Sequence, residues 1–224
     1  MASGRGWRAA IRWSSCRSST GARMGLKLLH TTWSDVQRLC EKVAHQIERA
    51  AYSPELIVAV SRGGFPPSRI LCDLLDVGGL ASMKIEYYAS VQERRERPSI
   101  VYPLNADVRG KRVLIVDDVA DSGHSLALAR RHVLQRGARE VRIATLHYKP
   151  WSVVKPDFYA EETDAWVVYV WERRETIRQF LERLRDEGMS EREAREQLIK
   201  MGFKEDEVSA ELGRGVTDPQ KPGL

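Results

Sequence analysis

Between residues 113 and 125 an apolar run, Val113-Leu114-Ile115-Val116, opens into Asp117-Asp118-Val119-Ala120-Asp121-Ser122-Gly123-His124-Ser125. A loop of this kind leads into a helix start, where unpaired backbone N–H groups and the helix dipole favour an anion. Ser122 and Ser125 add hydroxyl donors, and Gly123 lets the backbone approach with no side chain in the way. Together they form a cradle for a phosphate monoester. Asp117 and Asp118 are poor neighbours for a phosphate and suit vicinal sugar hydroxyls, or a hard magnesium ion held partly through water. Phosphate, hydroxyls and magnesium together describe a phosphorylated ribose. An Asp-Asp-x-x-Asp box also occurs as a diphosphate–metal motif on all-helical enzymes, but here it follows an apolar strand and precedes a glycine. A solvated turn is the remaining alternative. His124 either contacts the phosphate when charged or faces solvent.

These residues need a scaffold that brings strand ends together. Thr32 and Asp35 form a capping pair, and Val36, Leu39, Val43 and Ile47 repeat at helical spacing, giving a first helix that ends near Ala51. Leu56–Val60 is an unbroken apolar run, as in a strand buried on both faces. It breaks at Ser61-Arg62-Gly63-Gly64. Ser68–Leu75 reads as a helix and Met83–Tyr88 as a strand. Residues 89–110, with Arg94, Arg95, Arg97, Pro98 and Pro103, read as a loop or β-ribbon flap. Lys111–Val116 is a second apolar strand, Leu126–Arg136 a helix with Gly137 at its C-cap, and Val141–His147 and Trp166–Trp171 two more strands. Strands alternating with helices predict an α/β fold, a doubly wound parallel sheet.

From Glu175 onward the pattern turns helical. Ile177, Phe180, Leu181 and Leu184 form one stripe ended by Gly188, Ser190 and Glu193 form a capping box, and Phe203, Val208 and Leu212 supply a third helix. The expected organisation is a basic leader over 1–24, a main domain over 25–173, a small helical appendage over 174–213 and a tail over 214–224. Leu198-x-x-Met201-Gly202-Phe203 is weakly similar to the turn of ubiquitin-associated helical modules; a plain packing extension is the favoured reading.

The net charge of +5 invites a nucleic-acid partner, but Arg5, Arg8, Arg12, Arg17 and Arg23 account for all of it. The remainder is neutral, so no nucleic-acid groove is expected. The acid-free leader ends before Met24 and reads as upstream sequence, an organelle transit peptide or a basic arm. No apolar run reaches 18 residues, so no membrane span is expected. Cys16, Cys40 and Cys72 show no Cys-x-x-Cys pairing, which points to a reducing compartment, here the cytoplasm unless residues 1–23 direct the chain to an organelle. His30, His45, His132 and His147 have no metal-ligand spacing.

The stretch Val113–Ser125 resembles the phosphoribosyl-diphosphate-binding signature of type I phosphoribosyltransferases, with Ser122 and Ser125 where threonine is usual and His124 where glycine is frequent. Ser61-Arg62-Gly63-Gly64 resembles the pyrophosphate loop of the xanthine-guanine and hypoxanthine-guanine branch, where a cis peptide would fall at Ser61–Arg62. Lys149-Pro150, Asp157-Phe158-Tyr159 and Trp166-Val167 follow the order of that purine branch. The resemblance covers roughly residues 30–172. It implies that Lys149 donates to a purine 6-oxo group, Trp166 stacks on the ring and the Val167 backbone meets its 2-position edge. The implied reaction transfers 5-phosphoribosyl from phosphoribosyl diphosphate to a 6-oxopurine. Mg²⁺ lies near Asp117 and Asp118, Arg62 with the glycine backbone stabilises the leaving diphosphate, and Asp121 takes the purine proton. Family members carry a Ser-Tyr pair on the flap. Here the chain reads Tyr87-Tyr88-Ala89-Ser90, and Tyr88 is the expected counterpart. Homodimers or homotetramers are the implied assemblies. Two alternatives stay open: a non-catalytic regulator of the same fold binding phosphoribosyl diphosphate or a nucleotide, and specificity for adenine or a pyrimidine.

Overall fold

The structure, a computed structural model, describes residues 26–89 and 96–213. The expected leader, the tail and the centre of the flap, residues 90–95, lie outside the described residues. In chain order the elements are β1 (Leu28–His30), α1 (Trp33–Arg49), β2 (Leu56–Ser61), α2 (Phe65–Leu74), β3 (Leu80–Ala89), β4 (Glu96–Tyr102), β5 (Arg112–Ala120), α3 (His124–Gln135), β6 (Glu140–Tyr148), β7 (Phe158–Glu162), β8 (Trp166–Val168), α4 (Arg173–Asp186), α5 (Glu191–Lys200) and α6 (Glu205–Leu212). They form two compact units. One is Ser34–Asp164; the other takes the described parts of Ala22–Trp33 and Ala165–Leu224.

The first unit is built on a six-stranded sheet in the order β4-β3-β2-β5-β6-β7. Every neighbouring pair is parallel except β3 with β4, which closes the flap ribbon antiparallel. All five residues Leu56–Val60 are buried because both sheet faces are covered. Leu56, Val58 and Val60 join Met83, Ile85, Val113, Ile115, Val141 and Ile143 under Leu126, Ala129 and Val133 of α3. Alternate residues point to opposite faces, so Ile57, Ala59, Leu114 and Val116 face away from α3, and each is fully buried. α2 contacts β2 and β5. α1 runs beside β7, where the Gln46 side chain donates to the Tyr159 carbonyl at 2.8 Å and accepts from the Tyr159 N–H at 3.2 Å. The doubly wound α/β architecture expected from the alternation is therefore present.

From the adjacent central strands β2 and β5, the chain leaves β2 for β3 on one side and β5 for β6 on the other. That is a switch point, where ligands bind beyond the strand carboxyl ends. Several boundaries differ from expectation. α2 begins at Phe65, with a proline in its first turn; a first-turn N–H has no partner inside the helix, so proline is tolerated there. β5 runs on through Asp117 and Asp118 to Ala120, so these carboxylates stand on a strand end, not in a loop. Of the stretch 166–171 only Trp166–Val168 is strand. It pairs with β1, Leu28 opposite Trp166, in a separate two-stranded sheet.

In the second unit, α4, α5 and α6 bury Ile177, Phe180, Leu181, Leu184, Ala194, Leu198, Phe203 and Val208 together with Val168 of β8. The Met201-Gly202-Phe203 turn faces inward. Phe203 packs edge-on against His30 at 4.9 Å and against Phe180 at 6.1 Å, and Met201 gives its carbonyl to His30 Nε2 at 2.9 Å. The Ser190–Glu193 capping box forms as expected. Ser190→Ala is expected to lower the stability of these helices by about 1 kcal/mol, read as a lower urea midpoint for the helical circular-dichroism signal.

Candidate active site

The loop after β2 and the end of β5 meet face to face. The Ser61–Arg62 peptide is cis, Gly64 N–H donates back to the Val60 carbonyl at 2.9 Å, and Phe65 N–H donates to the Arg62 carbonyl at 3.1 Å. This tight turn sets Gly63 against Asp118: a β-carbon on Gly63 would land on the Asp118 carboxylate. Gly64 is closer still to backbone, and a β-carbon there would overlap the Val116 carbonyl and lie 2.6 Å from the Val60 carbonyl oxygen. Arg62 is exposed at the rim, while Asp118 is buried and donates its N–H to Asp117 Oδ1 at 3.0 Å.

Beyond Ala120 the chain turns through Asp121, Ser122 and Gly123, whose φ of +79° is open to glycine and strained for other residues. Gly123 is the N-cap of α3 and, having no side chain, supplies no side-chain cap of its own. Ser122 and Ser125 are both half-buried at this helix start, and His124 is exposed. A tyrosine completes the group: Tyr87 Oη lies 3.0 Å from Ser122 Oγ and accepts from Ser125 Oγ at 3.2 Å. Sequence reasoning favoured its neighbour Tyr88, which the structure places on β3 in register with Arg97.

A third segment is stitched onto this loop. Lys149 N–H donates to the Ala120 carbonyl at 3.0 Å, and Val153 N–H to the Ser122 carbonyl at 3.0 Å. These bonds bring Lys149, Trp151 and Asp121 together. Trp151 Nε1 donates to Asp121 Oδ1 at 3.1 Å, and Lys149 Nζ stands 5.5 Å from the Trp151 ring centroid. Burial pushes the Lys149 ammonium below its ordinary pKa, while the carboxylates of Asp121 and Asp164 pull it partly back. A protonated lysine there can donate to a carbonyl oxygen, and a carboxylate within reach can take a proton. Trp151 was not singled out from sequence. Its only signal was the aromatic residue two places after Lys149. Asp157, part of the purine-branch pattern, accepts from Ile143 N–H at 2.8 Å and ties β7 to β6.

Trp166 and Val167 belong to the second unit. Trp166 packs toward Phe180, ring centroids 6.3 Å apart, and its buried Nε1 has no hydrogen-bond partner among the described residues. Val167 is buried in register with Leu29. The structure thus unites Ser61–Gly64, Asp117–Ser125 and Lys149 in one unit and holds Trp166 and Val167 in the other.

Below Lys149 on β6 lies His147, 1% exposed. Burial pushes its pKa down to about 4; Glu161 opposes this, and Lys149 adds to it. The unfolded histidine titrates near 6.5, so between these values the unfolded chain binds more protons and stability rises with pH. As pH falls from about 6.5 to 4 the fold is expected to lose up to about 3 kcal/mol through this group. Urea midpoints at pH 4.5 and 7 should converge in His147→Gln relative to wild type.

Residues 31–174 match the family described as phosphoribosyl transferase domain. A xanthine-guanine phosphoribosyltransferase of Ruegeria sp. (strain TM1040) is 27% identical over 159 residues, covering 65% of this chain and 86% of that protein. A purine phosphoribosyltransferase structure from Pyrococcus horikoshii Ot3 is 35% identical with a TM-score of 0.58, covering 65% of this chain and 94% of that one. A hypothetical protein from Neisseria gonorrhoeae, solved with bound ppGpp, is 27% identical with a TM-score of 0.61, covering 67% and 92%. With two loops meeting at the switch point of its sheet and a family match across most of its length, this chain belongs to the phosphoribosyl transferase domain family.

Proposed function

We propose that this protein transfers a 5-phosphoribosyl group from phosphoribosyl diphosphate to a ring nitrogen of a 6-oxopurine, giving a nucleoside 5′-monophosphate and pyrophosphate. The observation that carries the reading is the joining of Lys149 and Asp121 to the Ser122–Ser125 helix start through the Ala120 and Ser122 carbonyls. A donor for an oxo group and an acceptor for a ring proton thereby stand beside a phosphate-binding turn. Lys149 favours an oxo acceptor over an exocyclic amine, which would oppose one donor with another. The xanthine-guanine and purine enzymes among the relatives support the same substrate class.

In this reaction the bond from the sugar C1′ to the diphosphate oxygen breaks ahead of formation of the C1′–nitrogen bond, leaving positive charge on the ribose. Arg62 and the Gly63 backbone face the departing diphosphate and stabilise its gathering charge. Asp121 takes the proton released by the purine nitrogen. Asp117 and Asp118 hold the ribose hydroxyls. They also fit a magnesium ion: Asp118 is buried directly against Gly63 of the other loop, and Mg²⁺ is commonly bound through one or two carboxylates, with substrate oxygens and water completing its shell. When bound, the ion supplies positive charge to the diphosphate. Tyr88, on the strand leading into the flap, is proposed to help exclude water from the sugar cation. Trp166 and Val167, which the resemblance assigns to the base, lie in the second unit. A homodimer or homotetramer in the cytoplasm is the proposed state; among the described residues no helix is long and apolar enough to cross a membrane.

A second reading, a non-catalytic protein that binds phosphoribosyl diphosphate or a nucleotide, is favoured by one observation, the ppGpp held by the Neisseria gonorrhoeae protein of the same fold. Pyrophosphate release from phosphoribosyl diphosphate and Mg²⁺, assayed with guanine, hypoxanthine, xanthine and adenine in parallel, separates the two. Turnover with 6-oxopurines supports the transferase. Tight binding of the sugar diphosphate without turnover on any base supports the regulator.

A further inference from the structure

We propose that Tyr87 is a third hydroxyl of the phosphate cradle, donating its phenolic proton to the 5′-phosphate of the sugar substrate beside Ser122 and Ser125. The proposal rests on the transferase reading and assigns a residue that the signature stretch Val113–Ser125 does not contain. Met83, Ile85 and Tyr87 share one side of β3 by alternation, and the first two are buried in the core under α3. Tyr87 thus continues that row to the carboxyl end of the strand, where α3 begins. There its oxygen is within hydrogen-bond distance of both serine hydroxyls, 3.0 Å from Ser122 and 3.2 Å from Ser125. The N-cap of α3 beside them is Gly123, which has no side chain to offer as a cap.

The donor arithmetic leads to the ligand. Each of the three hydroxyls carries one proton. In the structure they bond to one another: Ser125 donates to Tyr87, and Tyr87 shares a bond with Ser122. A phosphate monoester brings several strong acceptor oxygens and no donor at physiological charge, so all three protons can turn onto it. A phenol is a more acidic donor than an aliphatic hydroxyl, and its bond to an anion is of the stronger, charge-assisted kind. A phosphorylated sugar would therefore draw on Tyr87 more than on either serine. The pyrophosphate, facing Ser61–Gly64 on the neighbouring strand end, would not draw on it.

Calorimetric titration of wild type and Tyr87→Phe with phosphoribosyl diphosphate, guanosine 5′-monophosphate and magnesium pyrophosphate tests this. Phenylalanine keeps the ring and its packing, and matching thermal melts confirm the fold. The expected result is a loss of about tenfold or more for the two 5′-phosphorylated ligands, with pyrophosphate affinity equal to wild type. Unchanged affinity for all three overturns the proposal. Equal loss for all three also overturns it, since that reports a general loosening of the site. If wild type itself binds neither phosphorylated ribose compound, the transferase reading fails and this inference with it. That outcome is seen without the variant and is distinct from the other two.

Discussion

Asp121→Asn is expected to lower turnover with 6-oxopurines by about 10² to 10⁴-fold, the usual contribution of a positioned general base. The substitution is nearly isosteric, and the amide oxygen of asparagine can still accept from Trp151 Nε1, now 3.1 Å from Asp121 Oδ1. Local geometry is therefore kept while the ability to take a proton is removed. The loss should fall on kcat far more than on the affinity for phosphoribosyl diphosphate. Steady-state pyrophosphate release at saturating base and sugar diphosphate reads the effect directly. A decrease below about threefold would falsify the role of Asp121 as proton acceptor, since a general base contributes much more than that.

The second large effect separates two adjacent glycines. Gly63→Ala drives a methyl group into the Asp118 carboxylate, a side-chain group that can swing aside. The fold should survive, with the thermal midpoint within a few degrees of wild type, while affinity for phosphoribosyl diphosphate falls by about tenfold or more as the carboxylate leaves its position. Gly64→Ala instead meets main chain: the Val116 carbonyl, the Val60 carbonyl oxygen at 2.6 Å and the Val60 nitrogen at 2.9 Å. Those atoms belong to the two central strands and cannot move without disrupting the sheet. Overpacking of that kind costs about 3 kcal/mol or more, so Gly64→Ala should be a stability mutant. Parallel thermal melts and sugar-diphosphate titrations should therefore separate the neighbours, with opposite rankings in the two assays.

The apolar runs Leu56–Val60 and Val113–Val116 announced the central strands because both faces of each are buried, and the two motif loops follow those runs directly. Elements with little pattern were harder to see. β1 and β8 are three residues each, too short for any periodicity, and their pairing joins stretches more than 130 positions apart. β7, Phe158-Tyr159-Ala160-Glu161-Glu162, lies at a sheet edge and carries two acids, so it lacked the apolar signature of a buried strand. Pro66 and Pro67 delayed the expected start of α2, although a helix's first turn tolerates them.

Lys149 and Asp121 were named through resemblance, and their proximity follows from main-chain bonds that no side-chain pattern encodes. Tyr87 and Trp151 went unassigned for a related reason. Which of two adjacent tyrosines meets Ser122 depends on the facing of β3, and the place of Trp151 depends on how residues 149–153 fasten to the Ala120–Ser122 turn.

The division of the chain has a consequence for anyone cutting the gene. Because β1 and β8 belong with α4–α6, the sheet-bearing unit is, in topological terms, an insert within the helical one. A clone ending at Asp164 would strand Leu28 and Leu29 without their partner strand. A clone of residues 174–213 would lack β1 and β8 altogether. Trimming both ends to Ser34–Asp164 keeps Ser61–Gly64, Asp117–Ser125 and Lys149, and discards Trp166 and Val167. The segments proposed to handle the sugar diphosphate, together with Lys149 and Asp121, would then be encoded on one uninterrupted stretch of DNA.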